Sequence, residues 1–260
     1  MNLTHENYRT PEAELHYMSN SQFSSWLECE ARQVAKLAGE WVDEKPTTFL
    51  VGSFVHAWCE GALSDFTAEH PEMFKKDGTL KADFQHALTM IRTLELDPFA
   101  MMLLQGQKEV IMTAELFGVP WKAMFDVYVS GKRIVDLKTT KSIRDLQWND
   151  EHRGKVTFIE QYHYFRQVAV YSEVERLNSG GDWLDFYMVA VSKQDVPDKE
   201  VINLTDPDRV AVELASIGVH MPRIIAVKEG RVEPFRCGAC DYCRATKHLT
   251  RAVHYMEIGA

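Results

Sequence analysis

The stretch FDVYVSGKRIVDLKTTKS, from Phe125 to Ser142, constrains this chain most. Two apolar runs flank Ser130-Gly131-Lys132, which reads as a hairpin loop. Side chains alternate along a strand, so Met124, Asp126 and Tyr128 fall on one face of the first strand. Ile134, Asp136 and Lys138 fall on one face of the second. Phe125, Val127 and Val129, with Val135 and Leu137, take the opposite faces, a natural side for packing. Two aspartates and a lysine therefore project from one surface of one sheet. Carboxylates a few ångströms apart repel unless a cation lies between them. A divalent metal with Lys138 beside it meets that need.

Asp126, nine further residues, then Asp136-Leu137-Lys138 resembles the core motif of the PD-(D/E)xK nuclease superfamily. A D-x-K triplet alone is common and also fits an exposed hairpin with solvated charges. An Asp and a Lys inside otherwise apolar strands, with a second Asp on the partner strand, is a more specific pattern. The run from Ile134 to Thr140 is most similar to the RecB-like branch, and with the features below to RecE-type phage and prophage exonucleases (exodeoxyribonuclease VIII-like). This resemblance implies that Asp126 and Asp136 bind Mg²⁺ (or Mn²⁺) and that Lys138 helps activate the attacking water.

Further motifs lie at matching places. Phe49 to Leu63 reads as a helix, with His56 and Glu60 four residues apart on one side. Gly52-Ser-Phe-Val-His56 resembles the G-x-x-x-H helix that brings a histidine to the metal in RecB-like nucleases, and Glu60 is a further candidate. A histidine on an apolar helix is also a common core residue. Three strands near 108–117, 121–129 and 133–138 make an antiparallel meander. Glu109 occupies the place where related nucleases carry an extra acidic residue, and Glu115 also fits. Phe158 to Leu177 reads as one helix with Glu160, His163 or Tyr164, Gln167 and Tyr171 on one face. Gln167-Val-Ala-Val-Tyr171 resembles the Q-x-x-x-Y motif, whose residues border the active site. The charged segment 142–156, with Trp148, Arg153 and Lys155, reads as a loop, and the resemblance places DNA near it.

Cys237-Gly-Ala-Cys240-Asp-Tyr-Cys243 lets neighbouring thiolates reach one metal. Cys29, on the helix expected to start near Ser19-Asn20-Ser21, is the candidate fourth ligand, and His248 a substitute. Some RecB-like nucleases pair one N-terminal cysteine with three C-terminal ones around a 4Fe–4S cluster. The last spacing here is shorter than in those groups, so a 4Fe–4S cluster, Zn²⁺ and a metal-free knuckle all stay open.

The 260 residues suit a single domain over 1–260, with the cysteine cluster at 237–243. The amino-terminal arm, residues 1–18, reads as loosely held, and no secretory signal or membrane-length apolar run stands out. Five cysteines, three of them clustered, suit a reducing compartment, and a cytoplasmic location is expected. The net charge of −9 speaks against a broad nucleic-acid coat. Its distribution is uneven: Lys122 to Arg176 holds ten basic and eight acidic residues, leaving 19 basic and 30 acidic elsewhere. The basic character thus gathers around the proposed site.

The expected fold is α/β, a central mixed sheet with flanking helices and a PD-(D/E)xK core. The resemblance implies a metal-dependent DNA exonuclease acting on linear duplex ends from 5′ to 3′, in phage-type homologous recombination. A single-strand annealing partner and a ring-shaped homo-oligomer follow from the same likeness. Two alternatives are a RecB-like nuclease with an iron–sulfur cluster acting on single-stranded ends, and a non-catalytic DNA-binding or assembly module. Intact Asp126, Asp136 and Lys138 argue against the last.

Overall fold

The structure, a computed structural model, describes residues 1–44 and 47–257. Its centre is a five-stranded mixed sheet. The strands in chain order are β1 (Gln107–Leu116), β2 (Val119–Val129), β3 (Arg133–Thr140), then a separate short hairpin of β4 (Gln147–Asn149) and β5 (Gly154–Val156), and finally β6 (Asp185–Ser192) and β7 (Lys199–Asn203). Across the main sheet the order is β1-β2-β3-β6-β7. Only β3 and β6 run parallel, paired from Arg133↔Asp185 to Thr140↔Ser192. The chain between them carries the helix Tyr164–Ser179, as a parallel connection requires. The Ser130–Lys132 loop turns β2 into β3, with Gly131 at φ +66°, the left-handed position a three-residue hairpin uses.

Helices cover both faces. On one, Thr47–Glu60 and Ala82–Glu95 bury Val51, Phe54, Val55 and Phe84, Ala87, Ile91, Leu94 at helical spacing. They pack with Val127, Val135, Leu137, Val189 and Val191 of the sheet. Each large apolar side chain so buried contributes about 1.5–3 kcal/mol. Asp97 accepts the Phe99 and Ala100 N–H groups at 3.0 Å, and with Pro98 it starts a new short helix, Pro98–Leu103. On the other face lies Tyr164–Ser179, whose Glu175 accepts the Tyr128 hydroxyl at 2.7 Å.

Several expectations change. The amino-terminal arm is held: Met18 bridges Trp121, and buried Lys122 reaches the Tyr8 carbonyl (2.6 Å) and Glu14 (2.8 Å). The segment 142–156 is not a plain loop, since it contains the β4–β5 hairpin. The helix expected over 158–177 is two helices, Phe158–Gln161 and Tyr164–Ser179, because His163 takes φ +51°. Pro207–Lys228, 22 residues, is long and apolar enough to cross a membrane by length and composition, contrary to the reading that no such run exists. It carries Arg209, ion-paired to Glu160 at 2.8 Å, and Arg223, ion-paired to Glu30 at 2.7 Å.

The described residues form two compact units. The first comprises 1–20 and 44–219 and contains the main sheet. The second comprises 21–43 and, of the described residues, 220–257, bringing together two segments far apart in sequence. Its buried apolar residues include Phe23, Trp26, Ala35, Met221 and Ile224.

Candidate active site and cysteine centre

In the first unit the β2–β3 ladder has three pairs and ends at Val127↔Val135. Beyond that pair Asp126 Oδ2 accepts the Leu137 N–H at 2.7 Å. Opposite Asp126 on β1, Glu109 has φ +48° and the regular pairing skips it. Side-chain alternation breaks there. Phe125 faces Tyr171 of the Tyr164–Ser179 helix, with ring centroids 5.3 Å apart, whereas Val127 packs on the opposite side. The expectation that Phe125 and Val127 share a face is therefore corrected, because it assumed an unbroken ladder.

His56 reaches this break from the Thr47–Glu60 helix, with Nδ1 3.5 Å from Asp126 Oδ1. Gly52 sits where that helix lies against β3, and a Cβ there would be in ordinary contact with Thr139 Oγ1 at 3.4 Å. Burial alone would lower the His56 pKa, but the charge and hydrogen bond of Asp126, with the Asp136 charge, together raise it. Burial likewise pushes Asp126 up, while His56, Lys138 and the Leu137 N–H together hold it below the usual carboxylate range.

Asp136 is 3% exposed. Its Oδ1 accepts Gln167 Nε2 at 2.7 Å and Lys138 Nζ at 2.9 Å. Oδ2 lies 2.8 Å from the same ammonium, outside hydrogen-bond geometry and with no other donor. Burial, with the Asp126 charge adding to it, raises the Asp136 pKa despite Lys138. Burial would lower the Lys138 pKa, but the two aspartates raise it, so the lysine stays charged. Its ammonium also lies 5.3 Å from the Tyr164 ring centroid, within cation–π range. A buried carboxylate oxygen whose near neighbour is the Lys138 ammonium, beside a second carboxylate and an imidazole, offers ligand types that a hard divalent cation takes, in a looser set than the cysteines of the second unit.

His56, Asp126, Asp136, Lys138 and Gln167 thus converge, with Tyr171 one turn on from Gln167 in the same helix and packed against Phe125 and Phe186. Glu109 and Glu60 lie at one edge, near enough for their charges to interact, and His5 Nδ1 is 3.3 Å from Glu109. Burial and the Glu109 charge push the Glu60 pKa up to about 7. Glu160 does not join the face expected of it. The His163 break sets it on a separate helix, where it pairs with Arg209. Tyr164 is the residue that sequence reasoning left without a role, although its spacing from Gln167 and Tyr171 marks the same helix face.

In the second unit Cys29, Cys237, Cys240 and Cys243 have their sulfurs within 4.8 Å of one another. Among the described residues this is the one group of three or more His, Cys, Asp or Glu side chains gathered so closely. Cys29 is not within a helix as expected. It adopts an extended backbone between Asn20–Glu28 and Glu30–Leu37, which turns its thiol toward the other three.

The PDDEXK-like domain of unknown function (DUF3799) matches residues 19–246. A crystal structure described as a "Putative exonuclease" from Eubacterium rectale superposes with a TM-score of 0.95 at 41% identity, covering 100% of this chain and 99% of that one. A second solved structure, SSO0001, aligns over 73% of this chain and 82% of that one at 15% identity and a TM-score of 0.29, too low to carry an argument. No curated protein matches the sequence. With acidic residues and a lysine placed on β2 and β3 of a mixed sheet flanked by helices, and a family match over most of its length, the chain belongs to the PDDEXK-like domains.

Proposed function

We propose that this protein is a divalent-metal-dependent DNA exonuclease that hydrolyses phosphodiester bonds from linear duplex ends, 5′ to 3′. The observation that carries the reading is the buried Asp136 carboxylate, shared by Lys138 and Gln167 at 2.7–2.9 Å where the β2–β3 ladder opens toward Asp126. A binding module has no need of a buried carboxylate, Asp136, beside a second, half-buried one, Asp126. The kinship with a family of PDDEXK-like domains and the likeness to an exonuclease-described structure support the same reading.

Asp126 and Asp136, with His56 beside them, would hold the cation. Bound Mg²⁺ or Mn²⁺ supplies the charge that acidifies the attacking water and stabilises the phosphate oxygens. Lys138 keeps its proton and offers an ammonium to the developing oxyanion. Gln167 fixes the Asp136 rotamer, and the Tyr164 ring lies against the Lys138 ammonium. The β4–β5 hairpin presents Trp148, 61% exposed, as a stacking surface for a DNA base. Such an enzyme would act in the cytoplasm in phage-type recombination. It would deliver a 3′ single strand to an annealing protein and assemble as a ring.

The polarity test uses linear duplex labelled at the 5′ or the 3′ ends, incubated with Mg²⁺, with closed circular DNA as control. Early release of 5′ label from linear DNA alone is expected. Early release of 3′ label would overturn the polarity, and cleavage of closed circles would overturn the end dependence.

A further inference from the structure

Some RecB-like nucleases hold a 4Fe–4S cluster on one N-terminal and three C-terminal cysteines, and the sulfur positions here do not fit one. Cys29 Sγ is 3.6 Å from Cys243 Sγ, and Cys237 Sγ is 3.9 Å from Cys243 Sγ. A zinc–thiolate bond of about 2.3 Å makes the edge of a regular S₄ tetrahedron about 3.8 Å. In a four-iron cube each thiolate binds a different corner, so the sulfurs stand much further apart than on one tetrahedron. We infer that Cys29, Cys237, Cys240 and Cys243 hold a single, tetrahedrally coordinated Zn²⁺.

Two backbone N–H groups of the knuckle are aimed at the sulfurs. The Cys240 N–H points at Cys237 Sγ at 3.3 Å, and the Cys243 N–H at Cys240 Sγ at 3.5 Å. Backbone donors aimed at sulfur stabilise its charged form. Cys29 is 0% and Cys243 3% exposed, whereas Cys237 and Cys240 are half-buried, so the site has a buried side and an open one.

The two ligand-bearing segments are clamped independently of any metal. Ala31 N–H donates to the Phe235 carbonyl at 3.0 Å, and Phe235 N–H donates to Glu30 Oε2 at 2.7 Å. Arg223 holds the same Glu30 carboxylate through two bonds, at 2.7 and 2.8 Å. Residues flanking Cys29 therefore fix the strand of chain that leads into Cys237. With four protein ligands no position is left for water or substrate, so the ion is structural. It joins segments more than 200 residues apart (Cys29 to Cys243 spans 214) and stabilises the second unit.

Metal content decides the question on the full-length chain, isolated anaerobically from medium containing both iron and zinc. One zinc per chain without acid-labile sulfide is expected. Exchange for Co²⁺ should then give thiolate charge-transfer bands in the near ultraviolet and intense tetrahedral d–d bands in the visible. Titrating the thiols with a mercurial should release that one zinc to a chromophoric indicator, a readout that does not depend on any variant folding. Cys237→Ser should reduce the zinc to a substoichiometric amount. Four irons with a matching amount of sulfide would overturn the inference, as would a metal-free chain under reducing conditions. None of these readings involves DNA or turnover, so they stand apart from the outcome of a nuclease assay.

Discussion

Asp126 Oδ2 accepts the Leu137 N–H at 2.7 Å, directly beyond the last β2–β3 pair. The carboxylate takes a donor that a continued ladder would have given to backbone. One oxygen is thereby committed to the fold while the other faces His56 at 3.5 Å. Structure and chemistry meet in one side chain, and two substitutions separate them.

Asp126→Asn retains an oxygen for Leu137 and loses the charge. It should abolish metal-dependent cleavage while leaving the melting temperature within a few degrees of wild type. Asp126→Ala strands the Leu137 N–H and should in addition cost about 1–3 kcal/mol in chemical denaturation. Equal stability of the two variants would contradict the structural half of this role.

Much of this site was legible in the sequence, because Asp126, Asp136, Lys138, His56 and Gln167 each lie within a spaced pattern. What was not legible shares one cause. Periodicity assumes continuous elements, and here three elements break in or beside the candidate sites. Glu109 and His163 adopt positive φ without being glycine, and nothing local in their sequence marks that. Cys29 interrupts a helical pattern with an extended residue because its thiol is directed to partners more than 200 residues away. The held amino-terminal arm was hidden for a similar reason, since its anchor, Lys122, is distant in sequence.

Glu60 makes stability depend on pH. Its folded pKa is raised to about 7 by burial and by Glu109, against about 4.3 in an unfolded chain. Between these values the folded state binds more protons than the unfolded one, so stability falls as pH rises through that window. Glu60→Gln removes this contribution. In metal-free buffer its melting temperature relative to wild type should be higher at pH 8 than at pH 5. A difference that does not change with pH would show that the two carboxyls do not share a proton.

Lys122 anchors the amino-terminal arm from within the sheet. Its ammonium is buried, 2.8 Å from Glu14 and 4.5 Å from the Tyr8 ring centroid. Lys122→Ala should destabilise the protein by on the order of 3 kcal/mol. It should also accelerate proteolysis within residues 1–18, measured by limited digestion and mass spectrometry. Digestion at the wild-type rate would show that other contacts hold the arm.

Trp148 tests the proposed DNA face. Its ring is 61% exposed on the β4–β5 hairpin, held by an indole bond to Asp150 at 2.8 Å. Losing one stacked base costs roughly 1–3 kcal/mol. Trp148→Ala should therefore raise KM for DNA by about tenfold with kcat little changed. An unchanged KM would place the DNA elsewhere.

The central claim is that Asp136 and Lys138 form a metal-dependent phosphodiester-cleaving centre. It is tested most directly by Mg²⁺-dependent release of nucleotides from linear duplex DNA, comparing wild type with folded Asp136→Ala and Lys138→Ala. The account predicts release by wild type that chelation stops, none above background for Asp136→Ala, and a loss of about 10²–10³-fold for Lys138→Ala. Undiminished release by either variant would contradict it, as would wild type that cleaves neither duplex nor single strands with any divalent metal.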